Sequence, residues 1–226
     1  MASLDDLPLR DDLRGKKAYG APMVPVRYAL NVNENTHPVP DSVRSAILES
    51  LGHALENINR YPDREFTVLR ESLATYASES HQGDEITPDM VWAANGSNEV
   101  LQHVLQAFGG PGRSLLGFPP TYSMHPIIAE STGTTWIPGR RNEDFTLSTE
   151  SVVADIETHH PDLVFFCAPN NPTGTPVSVD TIAAAYEATS GVVLVDEAYV
   201  EFLPEGTLTA SQLLPGRERL VVSRTM

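Results

Sequence analysis

The chain has 226 residues, 41% of them hydrophobic, and a formal charge of −15 from 15 Lys and Arg against 30 Asp and Glu. That length and apolar content suffice for a substantial buried core. The acidity excludes a nucleic-acid or anionic-membrane surface, because phosphate backbones are bound through clustered cations. No apolar run approaches the roughly 20 residues of a membrane span, and the polar, acidic opening lacks the basic-then-apolar order of a signal peptide, so a cytoplasmic location is expected.

Taken in chain order, residues 1–40 are rich in Pro, Gly and Asn without sustained periodicity, which predicts an extended arm. A helix is predicted to start after Asp41 as its N-cap, with Val43, Ile47, Leu48, Leu51 and Leu55 on one apolar face. A second runs from about Phe66 through Leu69, Leu73 and Tyr76. From Met90 onward short apolar runs alternate with helical segments. Val91–Ala94 precedes Glu99–Phe108, Ser114–Phe118 precedes Tyr122–Glu130, and Thr134–Pro138 precedes a segment near 150–158. Asp162–Ala168 precedes a helix near 179–188, and Val192–Ala198 and Arg219–Thr225 follow. Such alternation predicts an α/β fold with a mainly parallel sheet covered on both faces.

In such sheets ligands sit at the carboxyl ends of the strands. Five loops fall there. Asn95–Glu99 holds a Gly for a tight turn and Ser97 or Asn98 as caps, an anion-binding helix start by construction, although on this loop alone a plain strand-to-helix turn with a good cap is the favoured reading. Phe118–Tyr122 presents an aromatic ring behind two prolines, although a tyrosine at a helix start more often simply packs its ring with its hydroxyl in water. Pro169–Pro176 combines three prolines with two asparagines, rigid enough to hold one amide in place. The apolar run ending in Asp196, Glu197, Ala198 and Tyr199 buries a carboxylate that needs a cationic partner. The last, Ser223–Thr225, sets hydroxyls beside an arginine.

Other groupings carry less. Cys167, the single cysteine, lies in the apolar run Asp162–Ala168 and reads as a buried, inert thiol. The histidines, His125 and the pair His159-His160 among them, lack metal-ligand spacing and are expected to be solvated or capping; no metal site is predicted. Ser97 is not in a nucleophile elbow, and Gly109–Gly112 reads as a helix-ending turn rather than a dinucleotide fingerprint. An anion cradle, an aromatic plate, a fixed amide, a buried carboxylate beside a phenol, and hydroxyls near an arginine would together suit a phosphorylated pyridinium aldehyde.

The motifs Asn31–Pro40 (NENTHPVP within it), NRYPD at 59–63, AANGSNE at 93–99, FPPTYSMHP at 118–126, APNNPTG at 168–174, VDEAYVEF at 195–202 and VVSRTM at 221–226 resemble the fold-type I pyridoxal-phosphate (PLP) aminotransferases, and within them the histidinol-phosphate aminotransferases of actinobacterial type. The resemblance implies a three-layer large domain, incomplete over residues 41–226, behind an N-terminal arm of residues 1–40, with the C-terminal small domain missing. It implies pyridoxal 5′-phosphate held by Ser97, Asn98 and Thr225 at its phosphate, Tyr122 on its ring, Asn171 and Tyr199 at its phenolic oxygen, and Asp196 at its ring nitrogen. Tyr61 would reach the phosphate in a partner subunit's site, implying a homodimer. Tyr19 and Asn33 would fall in an arm closing over substrate.

The implied reaction is transamination between L-histidinol phosphate and 2-oxoglutarate in histidine biosynthesis. The same fold also serves aromatic amino acids or the decarboxylation of phosphoamino acids. In the family the last strand continues into Ser-Lys, whose lysine forms the Schiff base with the cofactor. Here that lysine is expected just beyond Met226, and Lys16 and Lys17 are the only lysines. The resemblance therefore implies no catalytic residue within the chain, an inactive fragment as written, and a truncated origin. Thr36 stands where relatives usually have proline.

Overall fold

A computed structural model of the chain describes residues 6–16, 20, 24–28, 31–79 and 86–226. These form two compact units, Met1–Phe66 and Thr67–Met226.

The first unit holds a short 3-10 turn at Asp11–Leu13 and helix α1, Asp41–Leu55. The predicted apolar face of α1 is present, but none of its residues is buried. Its expected N-cap is displaced by one residue. Pro40 occupies that position, and Asp41, inside the first turn, accepts from Arg44 Nη2 at 2.6 Å instead of capping a backbone N–H. A carboxylate there still complements the helix dipole.

The second unit contains α2 (Thr67–Glu79), α3 (Ser97–Phe108), β1 (Ser114–Gly117), α4 (Met124–Ser131), β2 (Thr135–Pro138), α5 (Thr149–His159), β3 (Leu163–Cys167), α6 (Val179–Ala188), β4 (Val192–Asp196) and β5 (Leu220–Ser223). The five strands are all parallel in the order β2-β1-β3-β4-β5. β3 and β4 are buried along their whole length, which is why they read as continuous apolar runs.

Successive strand residues point to opposite faces and so build two cores. Leu116, Val164, Phe166, Val193 and Val195 pack with Val152 and Ile156 of α5 and Ile182 and Ala185 of α6. Leu115, Leu163, Phe165 and Leu194 pack with Leu101 and Leu105 of α3 and Ile128 and Ala129 of α4. The result is the expected three-layer α/β/α arrangement. Fully burying each such side chain contributes about 1.5–3 kcal/mol.

One predicted strand is absent. Val91–Ala94 has no ladder partner, and the Val91 carbonyl is bonded by Arg70 Nε at 2.8 Å. A strand needs a neighbour for its backbone groups, and a guanidinium takes that place here.

Candidate functional site

The carboxyl ends of β3, β4 and β5 meet at Asp196. As the last residue of β4 it stands in register between Cys167 of β3 and Ser223 of β5. It is 1% exposed. Its Oδ1 accepts from Ser223 Oγ and from the Ala198 backbone N–H, both at 3.3 Å, and its Oδ2 lies 3.2 Å from His125 Nε2. Among the described residues no Lys or Arg pairs with this carboxylate; an imidazole stands beside it instead.

His125 corrects the expectation of a solvated or capping histidine. It is 1% exposed in the first turn of α4, held edge-on between the rings of Tyr122 (5.7 Å) and Phe165 (5.6 Å). Its Nδ1 is buried without a hydrogen-bond partner among the described residues. Periodicity could have found it, since position 125 lies one turn before the buried Ile128 and Ala129 on the same helix.

Tyr122 joins two of the predicted loops through its hydroxyl, which donates to Asn98 Oδ1 at 3.2 Å. Asn98 and Ser97 open α3, but neither caps it. Gly96 is the N-cap at φ 78°, a conformation that favours glycine, and Glu99 Oε2 reaches back to accept from the Asn95 N–H at 2.5 Å. That bond lowers the Glu99 carboxyl below its ordinary value. The first N–H groups of α3 are therefore left unblocked by a capping side chain.

Asn171 follows β3, and its amide Nδ2 donates to the Tyr199 hydroxyl at 3.4 Å, while its backbone N–H points at Cys167 Sγ at 3.4 Å. Burial, with the charge of Asp196 behind it, pushes the Cys167 thiol up to about 12, in keeping with an inert cysteine. Thr225 is exposed two residues beyond β5. Asn33 and Tyr61 belong to the first unit and are exposed, Tyr61 fully, and Tyr19 lies outside the described residues.

Two further contacts support the strand ends. Glu197, 2% exposed, accepts from the Ala210 N–H at 2.7 Å and from Arg224 Nε and Nη2 at 3.1 and 3.0 Å. Burial raises its carboxyl above the ordinary value against the opposing pull of Arg224. Sequence alone gave no sign that Glu197 and Arg224 pair. Among the described residues no group of three or more His, Cys, Asp or Glu side chains could hold a metal, and no helix is long and apolar enough to cross a membrane.

The site thus offers a buried carboxylate, an amide and phenol side by side, an aromatic ring, and an open helix N-terminus. Comparison with known proteins bears on the family and the fold. The chain is 55% identical over 226 residues to a histidinol-phosphate aminotransferase of Paenarthrobacter aurescens (strain TC1), covering 99% of this chain and 59% of that one. It is 51% identical over 224 residues to that of Thermobifida fusca (strain YX), covering 99% and 60%. It therefore spans about three fifths of the length of these curated relatives. Among solved structures, an aspartate aminotransferase variant of Thermus thermophilus matches with a TM-score of 0.78 at 21% identity, over 96% of this chain and 57% of that one. The histidinol-phosphate aminotransferase of Sinorhizobium meliloti, solved in complex with pyridoxal-5′-phosphate, matches at 0.70 and 20% identity, over 82% and 48%. At such identities these structures speak for the fold alone. The family model for aminotransferase class I and II matches residues 28–226, and the chain belongs to that family.

Proposed function

We propose that the chain is most of the cofactor-binding part of a PLP-dependent histidinol-phosphate aminotransferase, and that the whole protein moves an amino group between L-histidinol phosphate and 2-oxoglutarate. The observation that carries the cofactor reading is Asp196. A carboxylate buried at 1% exposure, with only hydroxyl, amide and imidazole partners among the described residues, fits a group that brings its own N–H⁺. The substrate reading rests on the 55% and 51% identical relatives.

In this reading Asp196 keeps the ring nitrogen protonated. Asn171, which spends one amide N–H on Tyr199, and the Tyr199 hydroxyl bind the phenolic oxygen. Tyr122 lies against the ring, with Asn98 fixing its hydroxyl. Ser97, Asn98 and the N-terminus of α3 bind the phosphate with Thr225, since unblocked helix N–H groups and the dipole behind them favour an anion. When bound, the cofactor accepts the electron pair released as the substrate's Cα loses its proton. Tyr61 serves the partner's phosphate site in a homodimer, and Tyr19 and Asn33 belong to the substrate arm. The protein is cytoplasmic. Lys16 and Lys17, both in the N-terminal arm, are the only lysines of these 226 residues, and the 226-residue chain alone has no turnover in this reading.

Transamination assays decide the substrate. The gene product at its relatives' full length should turn over histidinol phosphate with 2-oxoglutarate in preference to phenylalanine, and a preference for phenylalanine would refute the assignment. The 226-residue chain in the same assay should show no turnover.

A further inference from the structure

The residue that ties the two halves of the candidate site together lies outside every motif that pointed to it. After β2 the chain is clamped twice. The Gly139 N–H donates to the Gly117 carbonyl at 2.7 Å, and Arg140 gives Asp155 of α5 both its backbone N–H (3.1 Å) and its Nη2 (3.0 Å). Gly139 has no room for a side chain, since a Cβ there would stand 2.7 Å from two ring atoms of Phe118. From this fixed base Arg141 spends each of its three guanidinium nitrogens on a different loop. Nε donates to the Phe118 carbonyl at 2.8 Å, Nη2 to Asn170 Oδ1 at 2.8 Å, and Nη1 to the Phe145 carbonyl at 2.9 Å.

Asn170, 2% exposed, completes the bridge. With Oδ1 taken by Arg141, its Nδ2 donates to the Pro120 carbonyl at 3.0 Å and to Thr173 Oγ1 at 2.7 Å. Its backbone closes its own loop, the N–H donating to the Thr175 carbonyl and the carbonyl accepting from the Gly174 N–H. One guanidinium and one amide thus join the exit of β1 to the exit of β3. Tyr122 lies two residues past Pro120 on the first, and Asn171 is the residue next to Asn170 on the second. All three acceptors of Arg141 are neutral. A half-buried guanidinium with no carboxylate partner among the described residues gives up the stronger pairing with an opposite charge. Lysine could not replace it, because three divergent acceptors need the planar fork.

We infer that Arg141 is a positioning residue of the cofactor site, setting the aromatic plate of Tyr122 and the amide of Asn171 at a fixed spacing through Asn170. The inference rests on the PLP reading above. Two measurements on the 226-residue chain separate them, using Arg141→Lys, which keeps the charge and loses the fork, and Arg141→Met, which loses both. In the ligand-free protein, hydrogen exchange at the amides of Asn170 and Gly174 should quicken about tenfold or more in both variants, while the amides of β3 and β4 stay protected. Calorimetry with pyridoxine 5′-phosphate, which carries the ring and phosphate but no aldehyde, should show affinity falling about tenfold in both, since the loops must then be ordered on binding. Unchanged exchange at both amides overturns the tie itself. Quickened exchange with wild-type affinity in both variants overturns the positioning role and leaves the cofactor reading intact. Wild-type affinity in Arg141→Lys alone reduces Arg141 to a local charge and equally overturns the inference. Absence of binding by the unsubstituted chain removes the cofactor reading and this role with it, whatever the exchange data show.

Discussion

His125 Nε2 stands 3.2 Å from Asp196 Oδ2, with both residues at 1% exposure. An imidazole so placed fixes the direction of the carboxylate and shares its burial, because a buried acceptor without a partner costs about 1–3 kcal/mol. His125→Phe keeps the ring's bulk and its edge contacts while deleting the bond. Urea unfolding should show a loss of about 1–3 kcal/mol, and a cycle with Asp196→Asn should give a coupling of at least about 0.5 kcal/mol. Additive losses would show that the two residues act independently.

Asp196→Asn tests the chemistry assigned to the same carboxylate. The amide preserves the shape and loses the charge, so on the proposed role of Asp196 the protonated ring nitrogen of bound pyridoxine 5′-phosphate should lose its main stabilisation. Its pKa, followed by absorbance, should fall by about one unit or more relative to the unsubstituted protein. An unchanged titration would mean that the ring nitrogen faces another group.

What the sequence made legible follows from the range of the interactions. The strands announced themselves because β3 and β4 are buried on both faces and carry unbroken apolar runs. Asn171, Asp196 and Tyr199 stood out as candidates because each sits in a short motif at a strand's end. The burial of His125 was readable from its place one turn before Ile128 and Ala129, but its contact with Phe165 of β3, forty residues away in the chain, was not. Arg141 and the pairing of Glu197 with Arg224 were invisible for the same reason, since their partners are set by the sheet order rather than by local spacing. Val91–Ala94 has strand composition but no strand beside it, and composition does not report a neighbour.

Glu197 and Arg224 should matter far more than the chain's exposed ion pairs. Their side chains are 2% and 13% exposed, whereas those of Asp41 and Arg44 are 91% and 64% exposed. Removing one partner of a buried pair leaves the other charge dry and unpaired, which costs about 3–5 kcal/mol, against less than about 1 kcal/mol for a surface pair. Arg224→Met should therefore lower the urea midpoint sharply, and Arg44→Met should leave it nearly unchanged. Joint replacement of Glu197 by Gln and Arg224 by Met should recover part of the loss, because no uncompensated charge then remains. Equal effects of Arg224→Met and Arg44→Met would contradict the burial argument.

Cys167 gives a pH dependence whose sign is fixed by its environment. Burial first, and the Asp196 charge second, move its thiol from 9.0 up to about 12. Below 9 the thiol is protonated whether the chain is folded or not, so it contributes no pH dependence. Between 9 and about 12 the unfolded chain releases the proton while the folded chain keeps it, so stability falls as pH rises, by up to about 1.4 kcal/mol per unit. Cys167→Ala removes that contribution. Its stability should run below the unsubstituted protein's by a constant amount up to pH 9, the deficit of a small buried side chain, and the two curves should converge between pH 9 and 11. A thiol-reactive probe at pH 8 should label the native chain no faster than it unfolds. Rapid labelling of the folded protein, or parallel stability curves through pH 11, would show that the thiol is neither sealed nor shifted.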